Sequence, residues 1–184
     1  NDKLNGEGFN SLNFLFEGKQ GMKNISTDVL YFTPIEKSDS SVVMRLAFAD
    51  DKHIDFSYAL HGYMLDLRIT AKNMDNMLST KKSIGIDWKQ IARQQEQGYD
   101  FEQRFTSLTY KPIDDDSDYL SEMESDSEKF TEPMKWIAYK NQFFSCILIA
   151  GKEFNDVDLE SVKVEKGQNI LKSFTAEMTT PFSP

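Results

Sequence analysis

From Val42 to Thr70 apolar and polar positions alternate with a period of two. Val42, Met44, Leu46 and Phe48 stand opposite Val43, Arg45, Ala47 and Ala49, and Asp50-Asp51-Lys52 then turns the chain. Ile54, Phe56 and Tyr58 oppose Asp55, Ser57 and Ala59; after His61-Gly62, Tyr63, Leu65, Leu67 and Ile69 oppose Met64, Asp66, Arg68 and Thr70. Successive side chains of a strand point to opposite faces, so three such runs joined by short turns predict an antiparallel meander with one wet face. Asp66 and Arg68 fall on that wet face, where an ion pair contributes under about 1 kcal/mol.

Shorter runs predict further strands at Leu12–Phe16, at Val29–Phe32 (stopped by Thr33-Pro34), through Ile84, Ile86 and Trp88, and at Phe105–Tyr110, ended by Lys111-Pro112. Val157–Val164, Ile170–Phe174 and Ala176–Met178 complete the set. Residues 1–11 read as a frayed end or a loop, and 19–28 and 37–41 as loop and turn. Residues 72–82 read as a loop or a single helical turn, and 113–132 as an acidic, solvated loop. The window 90–102 contains good helix formers but no sustained apolar stripe, and Gly98 interrupts it, so no free-standing helix is expected.

The longest near-continuous apolar run lies at Met134–Ala150, after Pro133 and before Gly151-Lys152. Trp136, Ala138 and Lys140 alternate with Ile137, Tyr139 and Asn141, and from Phe143 onward both faces are apolar. Aromatic and β-branched residues between such punctuation predict a strand buried on both sides. Trp136, Phe144, Ile147 and Ile149 are thereby expected in the core of a central strand, with Cys146 as a small buried hydrophobe. These patterns together predict an all-β, antiparallel, two-sheet protein of ten or more strands with little helix.

A chain of 184 residues is long enough for one domain with a substantial core, and nothing resembles an internal repeat or a low-complexity linker, so residues 1–184 read as one domain. Its longest apolar run is shorter than the roughly 20 residues that span a bilayer, and residues 1–10 lack the apolar stretch of a signal peptide. The formal net charge of −9 argues against nucleic acid as a partner, because phosphate backbones demand concentrated positive charge. It also disfavours adsorption to anionic headgroups through the surface at large. One cysteine cannot form an intrachain disulfide, so cysteine usage does not identify a compartment.

Few residues suggest chemistry. His53 and His61 are the only histidines, at opposite ends of a short strand pair, and no spacing for a zinc or iron site is present. Motifs for nucleophilic or nucleotide chemistry are lacking too, so neither a catalytic site nor a cofactor is expected. Asp114, Asp116 and Asp118 reproduce the opening ligands of a calcium loop. However, Tyr119 stands where the turn needs glycine and Ser125 where the closing glutamate belongs. That leaves a weak calcium contact beside a plain solvated loop. Asn24-Ile25-Ser26 matches a glycosylation sequon, a pattern that arises readily by chance.

The run Pro133-Met-Lys-Trp-Ile-Ala-Tyr-Lys-Asn-Gln-Phe-Phe-Ser-Cys-Ile-Leu-Ile-Ala150 resembles a signature stretch in the large periplasmic domain of the YidC membrane protein insertase family. The resemblance continues through Ile86-Asp87-Trp88-Lys89-Gln90, Arg93-Gln94-Gln95-Glu96, Phe105–Lys111 and Asp118–Glu122, and covers roughly residues 29 to 182. It implies a β-supersandwich of the galactose mutarotase type and a position on the periplasmic side of the bacterial inner membrane. It also implies that the chain is a fragment, truncated at both ends, of a larger multi-pass protein. The implied parent inserts and folds inner-membrane proteins, alone or with the Sec translocon, so Sec components and nascent membrane proteins become the expected partners. This chain would then be a non-catalytic interaction platform. The alternative is a carbohydrate-binding or carbohydrate-active protein of the mutarotase-like fold, since fold alone does not decide function. For docking, Phe105, Thr106, Thr109 and Tyr110 beside Asp114, Asp116 and Asp118 form a candidate edge. There an extended basic segment could add as a strand, steered by the carboxylates.

Overall fold

A computed structural model describes residues 10–49, 51–79 and 82–183. The loop expected at residues 1–9, Asp50 of the first meander turn, Thr80 and Lys81 of the 72–82 connection, and the terminal Pro184 lie outside the described residues. The strands fall into two sheets, one of nine strands and one of four, and every pairing with a described register is antiparallel. The all-β, two-sheet expectation therefore holds. Among the described residues, 14–84 with 182–183 form one compact unit, and 10–13 with 85–181 form another.

In the first unit, β1 (Ser11–Phe16) pairs with the two-residue β2 (Ile25–Ser26). The meander follows as β3 (Thr33–Lys37), β4 (Ser41–Ala49), β5 (Lys52–His61) and β6 (Met64–Lys72), paired in that order. Its three predicted strands and the turn at Gly62, where φ is +61°, are where the alternation placed them. Phe56 anchors the core: Phe14, Phe16 and Phe32 all meet its ring edge-on, at centroid distances of 5.5, 6.4 and 5.1 Å. Such pairs add to the burial of their large apolar surfaces. The predicted strand at Val29–Phe32 is absent. A 3-10 turn covers Thr27–Val29 and the strand begins at Thr33, with Pro34 inside it. Proline is tolerated there because β3 is paired on one side only, by β4.

The second unit contains most of β7 (Ser83–Arg93), a short helix α1 (Tyr99–Gln103), β8 (Ser107–Pro112), β9 (Asp118–Tyr119), β10 (Asp126–Phe130), β11 (Met134–Lys140), β12 (Ser145–Lys163) and β13 (Ile170–Pro181). The sheet order is β7-β13-β12-β11-β8-β9, with β10 also on β12. Tyr139 is sandwiched between Trp88 and Phe174, at centroid distances of 3.8 and 5.0 Å, and its hydroxyl donates to the Trp88 carbonyl at 2.8 Å. Burial pushes its phenol far above the usual tyrosine range. Around this stack Leu108, Ile137, Leu159 and Leu171 are fully buried.

The central run corrects the sequence reading most sharply. Residues 134–150 are not one buried strand but two, β11 and the start of β12, folded back on each other. Asn141 makes the turn: its amide donates to the Phe144 carbonyl at 2.9 Å, and its side-chain oxygen accepts from the amides of Phe143 and Phe144. Cross-strand partners share a face, so Ile137 and Tyr139 look into the core while Ile147 and Ile149 lie with Ala138 and Trp136 on the outer face. Accordingly Phe144, Ile147 and Ile149 are exposed and Trp136 is only half-buried, against the expectation that all four are core. Cys146 is likewise exposed, not a buried hydrophobe, although burial around its sulfur raises the thiol pKa.

Other boundaries also moved. Gly151 does not end its strand; β12 runs through it to Lys163. Gln90–Arg93 complete β7, and α1 starts only after Gly98. The acidic segment 113–132 contains β9 and β10, and the two short candidates after residue 170 are one strand, β13.

Candidate functional site

The residues chosen from sequence as a docking edge occupy very different environments. Thr106 is fully buried, its hydroxyl donating to the Glu102 carbonyl at 3.1 Å. Phe105 is exposed and leans on Phe101 of α1, centroids 5.1 Å apart. Thr109 and Tyr110 pair with Ala138 and Ile137 of β11 on one side and with Tyr119 and Asp118 of β9 on the other. The Leu120 amide extends that cover by donating to the Leu108 carbonyl at 3.0 Å. Tyr110 is buried with its hydroxyl 3.3 Å from Glu128 Oε2, and burial, reinforced by the Glu128 and Asp118 carboxylates, drives its pKa well above the usual value. From Leu108 to Tyr110, then, β8 has no free edge to which a segment could add. Thr106 and Tyr110 are structural residues.

What stays open at this end of the sheet is β9 and the turn before it. Asp114, Asp115, Asp116 and Asp118 are exposed, as is Tyr119. The turn is held locally. Asp115 Oδ1 accepts from the Asp116 amide at 2.8 Å, Asp118 Oδ1 accepts from the Tyr119 amide at 2.8 Å, and Lys111 Nζ donates to the Asp115 carbonyl. Among the described residues no three His, Cys, Asp or Glu side chains converge as a metal site would require. His53 and His61 occupy opposite ends of β5, each 3.6 Å from its own carboxylate, Asp55 and Asp66 respectively. Arg45 of β4 pairs with Asp55 of β5 through two bonds of 2.8 Å, while Asp66 and Arg68 lie exposed on β6.

Two buried charged side chains, Glu102 and Lys172, carry no sequence signal, and both are structural. Glu102 is buried, and its carboxylate accepts from the amides of Gln95 and Glu96 at 3.0 Å, tying the β7–α1 loop to the helix. Lys172 is buried on β13 and donates to the Ser121 carbonyl at 2.7 Å. Burial lowers its pKa against the opposing pull of Glu122, Asp126 and Glu124. Lys172 shares a face of β13 with the buried Phe174, Ala176 and Met178, a position from which a cation tethering a neighbouring loop is inferable only with the loop in view.

The second open region is the β11–β12 hairpin tip. Phe143 and Phe144 are 62% and 76% exposed, and Ile147 and Ile149 are 53% and 48% exposed. Large apolar side chains this exposed on one hairpin mark an interaction site more often than scattered exposed residues do. Asn141, a residue whose side chain forms turns, sits in the middle of a 17-residue run where strands average five or six. That was the available signal for the hairpin.

Comparison with known proteins places the chain. Residues 10–183 match the family described as the YidC periplasmic domain. The membrane protein insertase YidC of Phocaeicola vulgatus is 46% identical over 176 residues, which are 94% of this chain and 28% of that protein. The protein of the same name from Bacteroides fragilis is 41% identical over 177 residues, 95% of this chain and 28% of its own length. That from Porphyromonas gingivalis is 32% identical over 161 residues, 85% and 26% respectively. No solved structure matches. The chain thus spans about 28% of the length of the first curated relatives it matches. No helix among the described residues is long and apolar enough to cross a membrane. The chain belongs to the YidC periplasmic domain family.

Proposed function

We propose that this chain is a single, non-catalytic docking domain on the periplasmic side of a membrane protein insertase. Its parent inserts and folds inner-membrane proteins, alone or with the Sec translocon, and this domain holds partners near the site of insertion. The observation that carries the reading is the match of residues 10–183 to the YidC periplasmic domain, together with relatives named as membrane protein insertases over nearly the whole chain. The docking region belongs at the acidic end of the sheet, at β9 and the Asp114–Asp118 turn, because the neighbouring β8 is already paired on both sides. Four exposed carboxylates there would attract a basic segment and accelerate its encounter, and salt would weaken the attraction.

The test is affinity purification of the full-length protein carrying this chain, at low and at high salt. Sec components or nascent membrane proteins should co-purify at low salt and fall away at high salt. The variant Asp114→Asn/Asp116→Asn/Asp118→Asn should lose them at both. Recovery unaffected by the triple variant removes the acidic turn from the reading, and no recovery of either partner class at low salt removes the platform role.

A further inference from the structure

The β11–β12 hairpin differs in charge from the chain around it. Between Glu132 and Glu153 there are Lys135, Lys140 and Lys152 and no carboxylate, in a chain whose net charge is −9. All three lysines are exposed. Lys140 borders the tip, which presents Phe143 and Phe144 to solvent, whereas Lys135 and Lys152 lie toward the far end of the hairpin; Ile147 and Ile149 continue the apolar surface along the outer face of β12. We propose that this hairpin tip is a membrane-surface contact, which seats Phe143 and Phe144 among the headgroups of a bilayer containing anionic lipid.

Three features of the structure favour lipid over a protein occupant. The turn satisfies several of its own backbone groups. The Phe143 and Phe144 amides both find Asn141 Oδ1, and the Asn141 amide finds the Phe144 carbonyl. Unpaired amides are what make irregular backbone costly to remove from water, so these three bonds lower the penalty for taking the tip out of water. Secondly, lysine beside aromatic residues suits the interface, where ammonium groups reach anionic phosphates while rings settle among apolar chains.

Thirdly, the geometry separates the tip from the acidic turn. β8 and β11 are antiparallel, with Ser107 opposite Lys140 at one end and Pro112 opposite Met134 at the other. The tip follows Lys140, whereas the Asp114–Asp118 turn follows Pro112. At about 3.4 Å per residue the two lie roughly 20 Å apart along the strands, more than twice the physiological screening length of about 8 Å. Repulsion between the aspartates and anionic lipid is therefore damped at the tip. α1 leads into β8 at the tip's end of the sheet, and brings there the exposed Phe101, Phe105 and Arg104 with an Asp100 already neutralised by Lys166 at 3.0 Å. Adsorption through the negative surface at large stays unfavourable; contact through this end does not. The inference does not depend on the docking role of the acidic turn.

The test uses the 184-residue chain with a polarity-sensitive fluorophore on Phe144→Cys in a Cys146→Ser background. Vesicles of phosphatidylglycerol and phosphatidylcholine should shift its emission to the blue, and pure phosphatidylcholine vesicles should not. Lys140→Glu should weaken vesicle binding at least about five-fold, the effect of roughly 1 kcal/mol for one basic residue at such a surface. Binding by co-sedimentation of the unlabelled Phe143→Ser/Phe144→Ser variant should fall more than ten-fold while its thermal unfolding is unchanged. Equal binding to both vesicle types, or binding unaffected by either variant, overturns the proposal. So does a blue shift without vesicles that grows with protein concentration and tracks a dimer in sedimentation velocity, since a second copy would then cover the tip.

Discussion

Ile137 and Ile147 are ten positions apart in one apolar run, yet the hairpin places them on opposite faces of the same sheet, so replacing each with alanine should give very different results. Ile137 is fully buried between β8 and β12, with Tyr110 and Leu148 as its cross-strand partners. Deleting its methyl and ethyl groups leaves a cavity that rigid neighbours cannot fill, a loss of about 2–5 kcal/mol. Ile147 is 53% exposed. Complete burial of such a side chain contributes about 1.5–3 kcal/mol, so half-burial, less what alanine retains, leaves under about 1 kcal/mol to lose. In urea unfolding followed by tryptophan fluorescence, Ile137→Ala should lower the midpoint strongly and Ile147→Ala slightly, both with unchanged slope. For a chain of this size each kcal/mol corresponds to roughly 2–4 °C in Tm, so calorimetry should separate the two variants by several degrees. Equal losses, or a larger loss at Ile147, would refute the assignment of faces to the hairpin.

Tyr139→Phe keeps the aromatic stack but leaves the Trp88 carbonyl without its donor, and should cost about 1–3 kcal/mol in the same unfolding assay. Asp55 has its pKa held below the usual value chiefly by the hydrogen-bonded Arg45 guanidinium. The fold thus favours the ionised form, and the stabilisation is complete above the unfolded carboxyl pKa of about 3.9 and lost as pH falls through the depressed folded value. The stability gap between wild type and Arg45→Met should accordingly be constant from pH 7 to about 5 and close below about pH 4. Glu102→Gln replaces one acceptor oxygen of the buried carboxylate with a donor, so hydrogen exchange at the Gln95 and Glu96 amides should accelerate with little change at Leu108. Incubation of the chain with aldohexoses should leave anomer exchange, read by polarimetry, at the buffer rate.

The sequence exposed those parts of the fold in which one physical signal acts alone. In β4 to β6 the alternation of side chains and the polar turns at residues 51–52 and 61–63 agree, and the structure follows them closely. Where two signals compete, the pattern misleads. The 134–150 run is apolar enough to pass for a strand buried on both faces, and only Asn141 reveals that it folds back on itself. An exposed apolar hairpin looks like core to any argument that equates hydrophobic with buried. β10 was missed because Asp126, Glu128 and Lys129 are solvated, and its pairing with β12 is a long-range fact absent from its own composition. Thr109 and Tyr110 likewise have strand chemistry, and nothing in it reveals that their outer edge is covered by a partner only two residues long in an acidic loop. Family membership was legible because it rests on residue identities rather than on burial.

The central claim, that this domain docks partners of the insertase at its acidic end, is tested most directly by photocrosslinking in the full-length protein during membrane-protein synthesis. A photoreactive residue placed at Asp116 or Tyr119 should capture a Sec component or a nascent membrane protein, with less capture as salt rises. The same residue at Arg68, on the exposed surface of the meander, should capture neither. Equal capture at all three positions, or none at Asp116 and Tyr119 while the full-length protein still inserts its substrates, would contradict the account.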